Sequence, residues 1–237
     1  NEAKLNTSWI QPNEPWLAAT RNFVARLLES TPKNKFLPTF LPVVETIARL
    51  GAINSLAQTL LKLTSPGVPD IYQGNETWDF SLVDPDNRRP VDYKLRAETL
   101  SCLSTKSPED LLRNWPDGRI KMFLTQRALH FRNTHVDLFQ RGSYLPLHVI
   151  GPSADSCIAF ARQFDRQWII VIAPRLSSRV GFPPIGDWWK ETAIELSDNL
   201  RADRAREVFT SRELQIQSRH IRLADAMSMF PFAMMTN

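Results

Sequence analysis

Apolar residues recur at helical spacing from Asn13 to about Phe139, and beyond Gly142 the spacing changes to that of strands. Leu17, Val24, Leu27 and Leu28 share one face of a segment that must end before Thr31-Pro32. Val43, Ile47, Leu50, Ala57, Leu60 and Leu61 then resume the helical period, with Gly51 interrupting it, up to a stop at Ser65-Pro66-Gly67. This stretch predicts one or two buried helices. Further on, Ser107-Pro108-Glu109-Asp110 offers an N-cap, a first-turn proline and early acids, and Ile120, Phe123, Leu124, Arg127 and Phe131 lie on the mostly apolar face of the next helix.

The second half reads as strands. "CIAFARQF" (157–164) puts Ile158, Phe160 and Phe164 on one face, Asp165-Arg166 can turn a hairpin, and "QWIIVIAP" (167–174) has the unbroken apolar run of a central strand. "TAIEL" (192–196), "REVFTS" (206–211) and "LQIQSRHIRL" (214–223) are further strand candidates, with "VGFPPIGDWW" as a loop between them. The boundary between the halves is expected near Gly142 to Tyr144. No internal repeat or low-complexity tract interrupts either half.

Composition narrows the function classes. With 237 residues, 43% hydrophobic and 23% charged, the chain has the make-up of a soluble globular protein rather than a disordered one. No run approaches the roughly 18 consecutive apolar residues of a membrane span, so no membrane partner is expected. The net charge of +4 is spread over both halves without a block of like charges, which argues against nucleic acid. Cys102 and Cys157, far apart in segments of different character, fit packing roles in a reduced, cytoplasmic protein. The four histidines lack ligand spacing and the serines lack an elbow motif, so neither a metal, a cofactor nor a nucleophilic serine is expected. The start, Asn1-Glu2-Ala3-Lys4, shows neither an initiator methionine nor a signal-peptide pattern, and a fragment of a longer protein is expected.

The densest chemistry lies in "PGVPDIYQGNETWDFSLVDPDNRRPVDY", residues 66–93, which holds six carboxylates, two adjacent arginines, four aromatics and four prolines in 28 positions. Val68 to Tyr72 reads as a short strand between a turn and Gly74, followed by a long polar loop and another helix. That order is one unit of a β/α architecture, in which chemistry sits at the C-terminal ends of the strands and in the loops that follow. Glu76, Trp78, Asp84, Asp86, Asn87, Arg88, Arg89 and Tyr93 are the inventory for gripping a pyranose: carboxylates and arginines for vicinal hydroxyls, aromatic rings for the flat C–H faces. The plainer reading is a surface loop in which acids and arginines satisfy one another, and composition alone favours it.

This stretch also closely resembles the last barrel strand and following loop of the maltooligosyl trehalose synthases, a family within the α-amylase superfamily of glycoside hydrolases. "GVPDIYQGNE" is the part shared across the superfamily, and "WDFSLVDPDNRRPVDY" is specific to the trehalose-forming branch. "EAKLNTSWIQPNEPW", "FLPTFLPVVETIARLGAINSLAQTLLKLTSPGVPD", "DGRIKMFLTQRALHFRNTHVDLFQRGSYLPL" and, more weakly, "DWWKETAIELSDN" extend the resemblance, with a departure at Asn6, where the family usually has histidine.

The resemblance implies an α/β fold: the C-terminal part of a (β/α)8 TIM barrel over 1–142 and an antiparallel β-sandwich domain over 143–237. It implies an isomerase that turns the reducing-end α-1,4 bond of a maltooligosaccharide into an α,α-1,1 bond. The nucleophile, acid/base and stabilising aspartate would come from strands ahead of residue 1, so no catalytic residue is assigned and the isolated chain is expected to be inactive. The partners implied are a maltodextrin substrate, the N-terminal remainder of the same enzyme and a maltooligosyltrehalose trehalohydrolase in the same pathway. The loop residues, Asp84, Asp86, Arg88 and Arg89 first, would bind substrate. Two alternatives stay open: another α-glucan hydrolase or transferase with the same loop, and a non-catalytic glucan-binding module. Trp9 and Trp16 are read as packing residues, and Trp188 and Trp189 as a hydrophobic seam with the barrel rather than a glucan platform. One strand cannot close a parallel barrel, so on its own the chain should leave Val68–Tyr72 without neighbours and helices with bare apolar faces.

Overall fold

Helices give way to strands between Gln140 and Ser143, where the spacing changes. The computed structural model of the protein describes residues 3–198, 200, 202–216 and 218–237. The chain divides into two compact units, Asn1–Arg49 and Leu50–Asn237.

In the first unit, α1 (Glu14–Leu27) starts where Asn13 Oδ1 accepts the Trp16 N–H at 3.2 Å and Pro15 sits in the first turn. Asn34 joins its end to the next helix. The amide nitrogen donates to Leu27 O and Glu29 O at 2.8 and 2.7 Å, while Oδ1 accepts from Phe36 N and Leu37 N at 2.8 and 3.2 Å. The expected face forms, but α1 buries no residue, and Phe23, Val24 and Leu28 stay exposed.

The second helix, α2 (Phe36–Thr64), is continuous, so the unit boundary falls inside it and neither Pro42 nor Gly51 breaks it. A mid-helix glycine costs only about 1 kcal/mol, and the buried run after it, Ile53, Leu56, Ala57, Leu60 and Leu63, outweighs that. By length and composition α2 is apolar enough to cross a membrane. Its second half is a core helix, whereas Phe36, Phe40, Leu41, Val43, Val44 and Ile47 of the first half are exposed.

The second unit continues with α3 (Tyr93–Cys102), α4 (Pro108–Arg113), α5 (Arg119–Thr134) and α6 (Val136–Gln140). Ser107 caps α4 as expected, its hydroxyl accepting the Asp110 N–H at 3.1 Å. The strands are β1 (Ser143–Pro146), β2 (His148–Ile150), β3 (Cys157–Phe164), β4 (Gln167–Pro174), β5 (Ala193–Glu195), β6 (Arg204–Glu207), β7 (Glu213–Gln215), β8 (His220–Arg222) and, after the short α7 (Leu223–Ala226), β9 (Ala233–Thr236). They form an antiparallel six-stranded sheet, β1-β3-β4-β9-β6-β7, and an antiparallel three-stranded sheet, β2-β5-β8.

The β3–β4 hairpin turns at Asp165-Arg166, with Phe164 opposite Gln167. Strand β4 explains the unbroken apolar run. Ile169, Val171 and Ala173 join a core with Leu60, Phe123, Leu124 and Leu138 of the helices, while Trp168, Ile170 and Ile172 join a second core with Ile194 and Ile221 of the smaller sheet. Burial of each large aliphatic side chain contributes roughly 1.5–3 kcal/mol. With both faces covered, β4 has no use for polar alternation.

Three expected strands differ. Val68–Tyr72 is not a strand, and Val68 is 96% exposed. A parallel strand exists only through bonds to its neighbours, and no described strand lies beside it. The strand expected over 206–211 lies earlier, at Arg204–Glu207, because the Glu207 carboxylate accepts from Thr210 N and Oγ1 and closes a turn after itself. The run 214–223 splits into β7 and β8 in different sheets, since Ser218 and Arg219 take positive φ of 51° and 65°; Gln217 within it lies outside the described residues. Strand β9, between β4 and β6, had no sequence expectation.

Candidate functional site

The loop from Pro66 to Tyr93 has a pinned base and a projecting tip. Arg132 of α5 donates to Leu63 O at 2.9 Å and Gly67 O at 2.6 Å, fixing the exit from α2. Arg96 of α3 donates to Gly74 O at 3.3 Å, Lys121 of α5 to Thr77 O at 3.2 Å, and the Trp78 indole N–H to Trp115 O at 2.7 Å. Four crosslinks to three neighbouring elements thus hold a backbone that has no regular structure of its own.

Gly118 closes the turn under this base at φ 78°, where an added Cβ would sit 2.9 Å from Thr77 Cβ and 3.1 Å from Trp78 N. Left-handed strain and that contact together should make Gly118→Ala cost about 2 kcal/mol, read as a lowered urea midpoint at unchanged m-value.

Past Trp78 the loop projects. Phe80, Leu82 and Val83 are 87%, 72% and 85% exposed. Asp84 and Arg88 pair bidentately, Nε to Oδ1 at 2.5 Å and Nη2 to Oδ2 at 2.7 Å, across a short 3-10 turn at Asp86–Arg88. Asp86, Arg89 and Tyr93 are exposed, whereas Asn87 is half-buried with its Oδ1 enclosed and unbonded. Asp79 Oδ1 accepts the Ser81 N–H at 2.9 Å, and the Ser81 bonds hold its carboxyl below the usual aspartate value. At the tip, Asp84 and Arg88 thus satisfy one another while both stay exposed.

Glu76 and Trp78 belong to the base. Glu76 Oε2 lies 3.6 Å from Arg96 Nε, and both atoms are buried without a hydrogen bond, so charge alone couples them. Trp78 is half-buried: its ring meets Trp115 edge-on at 6.3 Å, and Lys121 Nζ lies 5.9 Å from its centroid. It therefore packs against the helical core on one side and keeps part of its surface exposed.

Sequence reasoning missed Arg96 and Lys121. Lys121 stands inside the apolar run Ile120–Phe123, and a lysine there, only 8% exposed, was the available signal. Burial, and secondarily Lys62, hold its ammonium below the usual lysine value. It lines a polar cleft of about 350 Å³ with Gln58, Lys62, Asp70, Tyr72 and Asn75. Such donors and acceptors suit a hydroxyl-rich ligand.

The two tryptophans at 188 and 189 diverge. Trp189 is fully buried in the core between the sheets, its N–H on Pro184 O at 2.8 Å, whereas Trp188 is half-exposed. Trp9 and Trp16 are exposed, against the expectation of packing.

No family model matches the chain. A protein of Mycobacterium tuberculosis named "Putative maltooligosyl trehalose synthase" is 35% identical over 205 residues, 85% of this chain and 23% of the relative. The solved maltooligosyltrehalose synthase from Arthrobacter ramosus superposes with a TM-score of 0.76 at 29% identity, over 99% of this chain and 28% of that one. The chain is a homologue of the maltooligosyl trehalose synthases. A further such structure, described as hypothetical and from Sulfolobus tokodaii, agrees at TM-score 0.69 and 25% identity over 100% of this chain and 27% of its own. An Anoxybacillus α-amylase, at 13% identity and TM-score 0.50, shares the fold alone. The chain spans about a quarter of the length of the maltooligosyl trehalose synthases it matches.

Proposed function

We propose that this chain is the C-terminal part of a glucosylmutase that converts the reducing-end α-1,4 bond of maltooligosaccharides into an α,α-1,1 bond. The observation that carries the reading is the 35% identity over 85% of the chain to a protein named "Putative maltooligosyl trehalose synthase". In it, residues 1–142 complete a (β/α)8 barrel, residues 143–237 form a β-sandwich beside it, and Val68–Tyr72 becomes a strand once flanked by its neighbours. The catalytic carboxylates lie in the remainder of the protein. The enzyme works in the cytoplasm, and its product passes to a maltooligosyltrehalose trehalohydrolase.

Within that enzyme the loop from Pro66 to Tyr93 is one wall of the glucose pocket. Isomerisation requires the released glucose to stay bound, turn, and accept the glycosyl group through its anomeric hydroxyl while water is excluded. A base pinned by Arg132, Arg96 and Lys121 keeps the wall rigid. The tip residues Asp84, Asp86, Asn87, Arg88, Arg89 and Tyr93 grip sugar hydroxyls, with Glu76 beneath them and Trp78 as support.

In the full-length enzyme, maltopentaose should lose reducing ends without becoming shorter; release of glucose or maltose would indicate a hydrolase instead. Arg88→Ala should lower isomerisation roughly tenfold or more. Its exposed pair with Asp84 contributes no more than about 1 kcal/mol, so the melting temperature should barely move. Unchanged turnover would remove Arg88 from the pocket.

A further inference from the structure

We infer that Trp188 is a secondary glucan-binding platform on the β-rich part of the chain, remote in sequence from the loop of the proposed pocket. The short 3-10 turn Gly186–Trp189 is fastened at both ends. Gly186 N donates to Met227 O at 3.0 Å, Trp189 N–H of the ring to Pro184 O at 2.8 Å, and Lys190 N to Asp187 O at 3.1 Å. Because Trp189 points into the core with no exposure, its neighbour is held on the outside, where Trp188 is 51% exposed.

The ring is also backed. At Gly181, φ 100°, an added Cβ would fall 2.8–2.9 Å from Cη2, Cζ3 and Cε3 of Trp188. The Cε3–Cζ3–Cη2 part of the indole therefore lies against Gly181, where a Cβ would crowd it. A ring so supported loses little freedom on binding, which is what a weak ligand needs.

The flat indole with charged residues beside it selects a sugar over a protein partner. Asp187 and Lys190, on either side in the chain, are exposed and supply an acceptor and a donor for hydroxyls, while the ring covers the C–H face of a pyranose. After Ser143 the exposed large apolar residues among the described ones are only Tyr144, Leu176 and Trp188, too few for a protein-docking patch. The choice of an α-glucan over another sugar rests on the proposed function.

β-Cyclodextrin separates the two claims, because it is a ring of α-1,4-linked glucose with no reducing end for the mutase reaction to use. Calorimetric titration of the 237-residue chain with it should show weak, saturable binding that quenches tryptophan fluorescence. Trp188→Ala should weaken it roughly tenfold or more, with Trp188→Phe keeping part of the affinity and far-UV circular dichroism unchanged in both. No binding by the parent chain, or equal binding by Trp188→Ala, overturns the platform. Absence of isomerase activity on maltopentaose in the full-length enzyme would overturn the proposed function while leaving cyclodextrin binding intact.

Discussion

Replacing Arg162 by alanine should destabilise the second unit by about 4 kcal/mol, from several charge-assisted hydrogen bonds lost in a dry site. The side chain projects from β3 and is only 2% exposed. Its guanidinium donates to Phe139 O at 3.0 Å, Gly142 O at 2.8 Å and Thr64 O at 3.4 Å, and lies 5.9 Å from the Phe139 ring. Burial and the nearby Arg132 lower its pKa, yet an arginine starts from so high a value that it stays charged. One side chain thus joins the end of α2, the end of α6 and the entry to the first sheet. Alanine would leave three inward-facing carbonyls without this donor and a cavity beside Phe139. Urea unfolding followed by circular dichroism measures the loss, and Arg162→Lys should recover little, because one ammonium cannot span the same three acceptors. A loss below about 1 kcal/mol would mean that water takes over these carbonyls at no cost.

The Glu207 carboxylate should make stability depend on pH. It is 1% exposed, with Oε2 accepting from Thr210 N at 2.6 Å and Thr210 Oγ1 at 2.7 Å, and Oε1 from Met234 N at 3.1 Å. Desolvation raises its pKa above the ordinary 4.5, and the Thr210 and Met234 bonds only partly oppose the shift. A raised folded-state pKa means that the folded protein holds this proton more tightly than the unfolded chain. The stability it confers is complete below about 4.5 and declines as pH rises through the folded value. The steepest slope a single group allows is about 1.4 kcal/mol per pH unit. Glu207→Gln should abolish that component, so its stability relative to the parent should rise from pH 4.5 upward; a constant difference would sink the argument. Glu207→Ala, which strands the Met234 and Thr210 donors and frees the turn onto β9, should cost about 3 kcal/mol at neutral pH.

Both residues lie where sequence patterning was least informative. Arg162 sits among Ile158, Phe160 and Phe164 on one face of β3, so local pattern marked the face but gave no reason for the cation. That reason is three carbonyls contributed from residues 20 to 98 positions away. Glu207 read as an ordinary strand residue, although its carboxylate ends the strand. The site shows the same division. The composition of 66–93 marked a polar loop, but the crosslinks from Arg96, Lys121 and Arg132 that define its base come from helices one to three elements later.

Near-neighbour physics made the caps and periods readable. Ser107 and the Asp165-Arg166 hairpin act within a few residues, and so did the helix-to-strand change near Gly142. What the amino-acid sequence determined by itself was this set of local elements, together with the motif whose resemblance pointed to the trehalose synthases. Tertiary structure alone decided that β4 is covered on both faces, that β9 enters the sheet beside it, and that Trp78 and Trp189 turn inward while Trp188 turns out. Each of those outcomes depends on a partner distant in the chain, and a backbone or ring takes its place only when that partner supplies the bond or the covering surface.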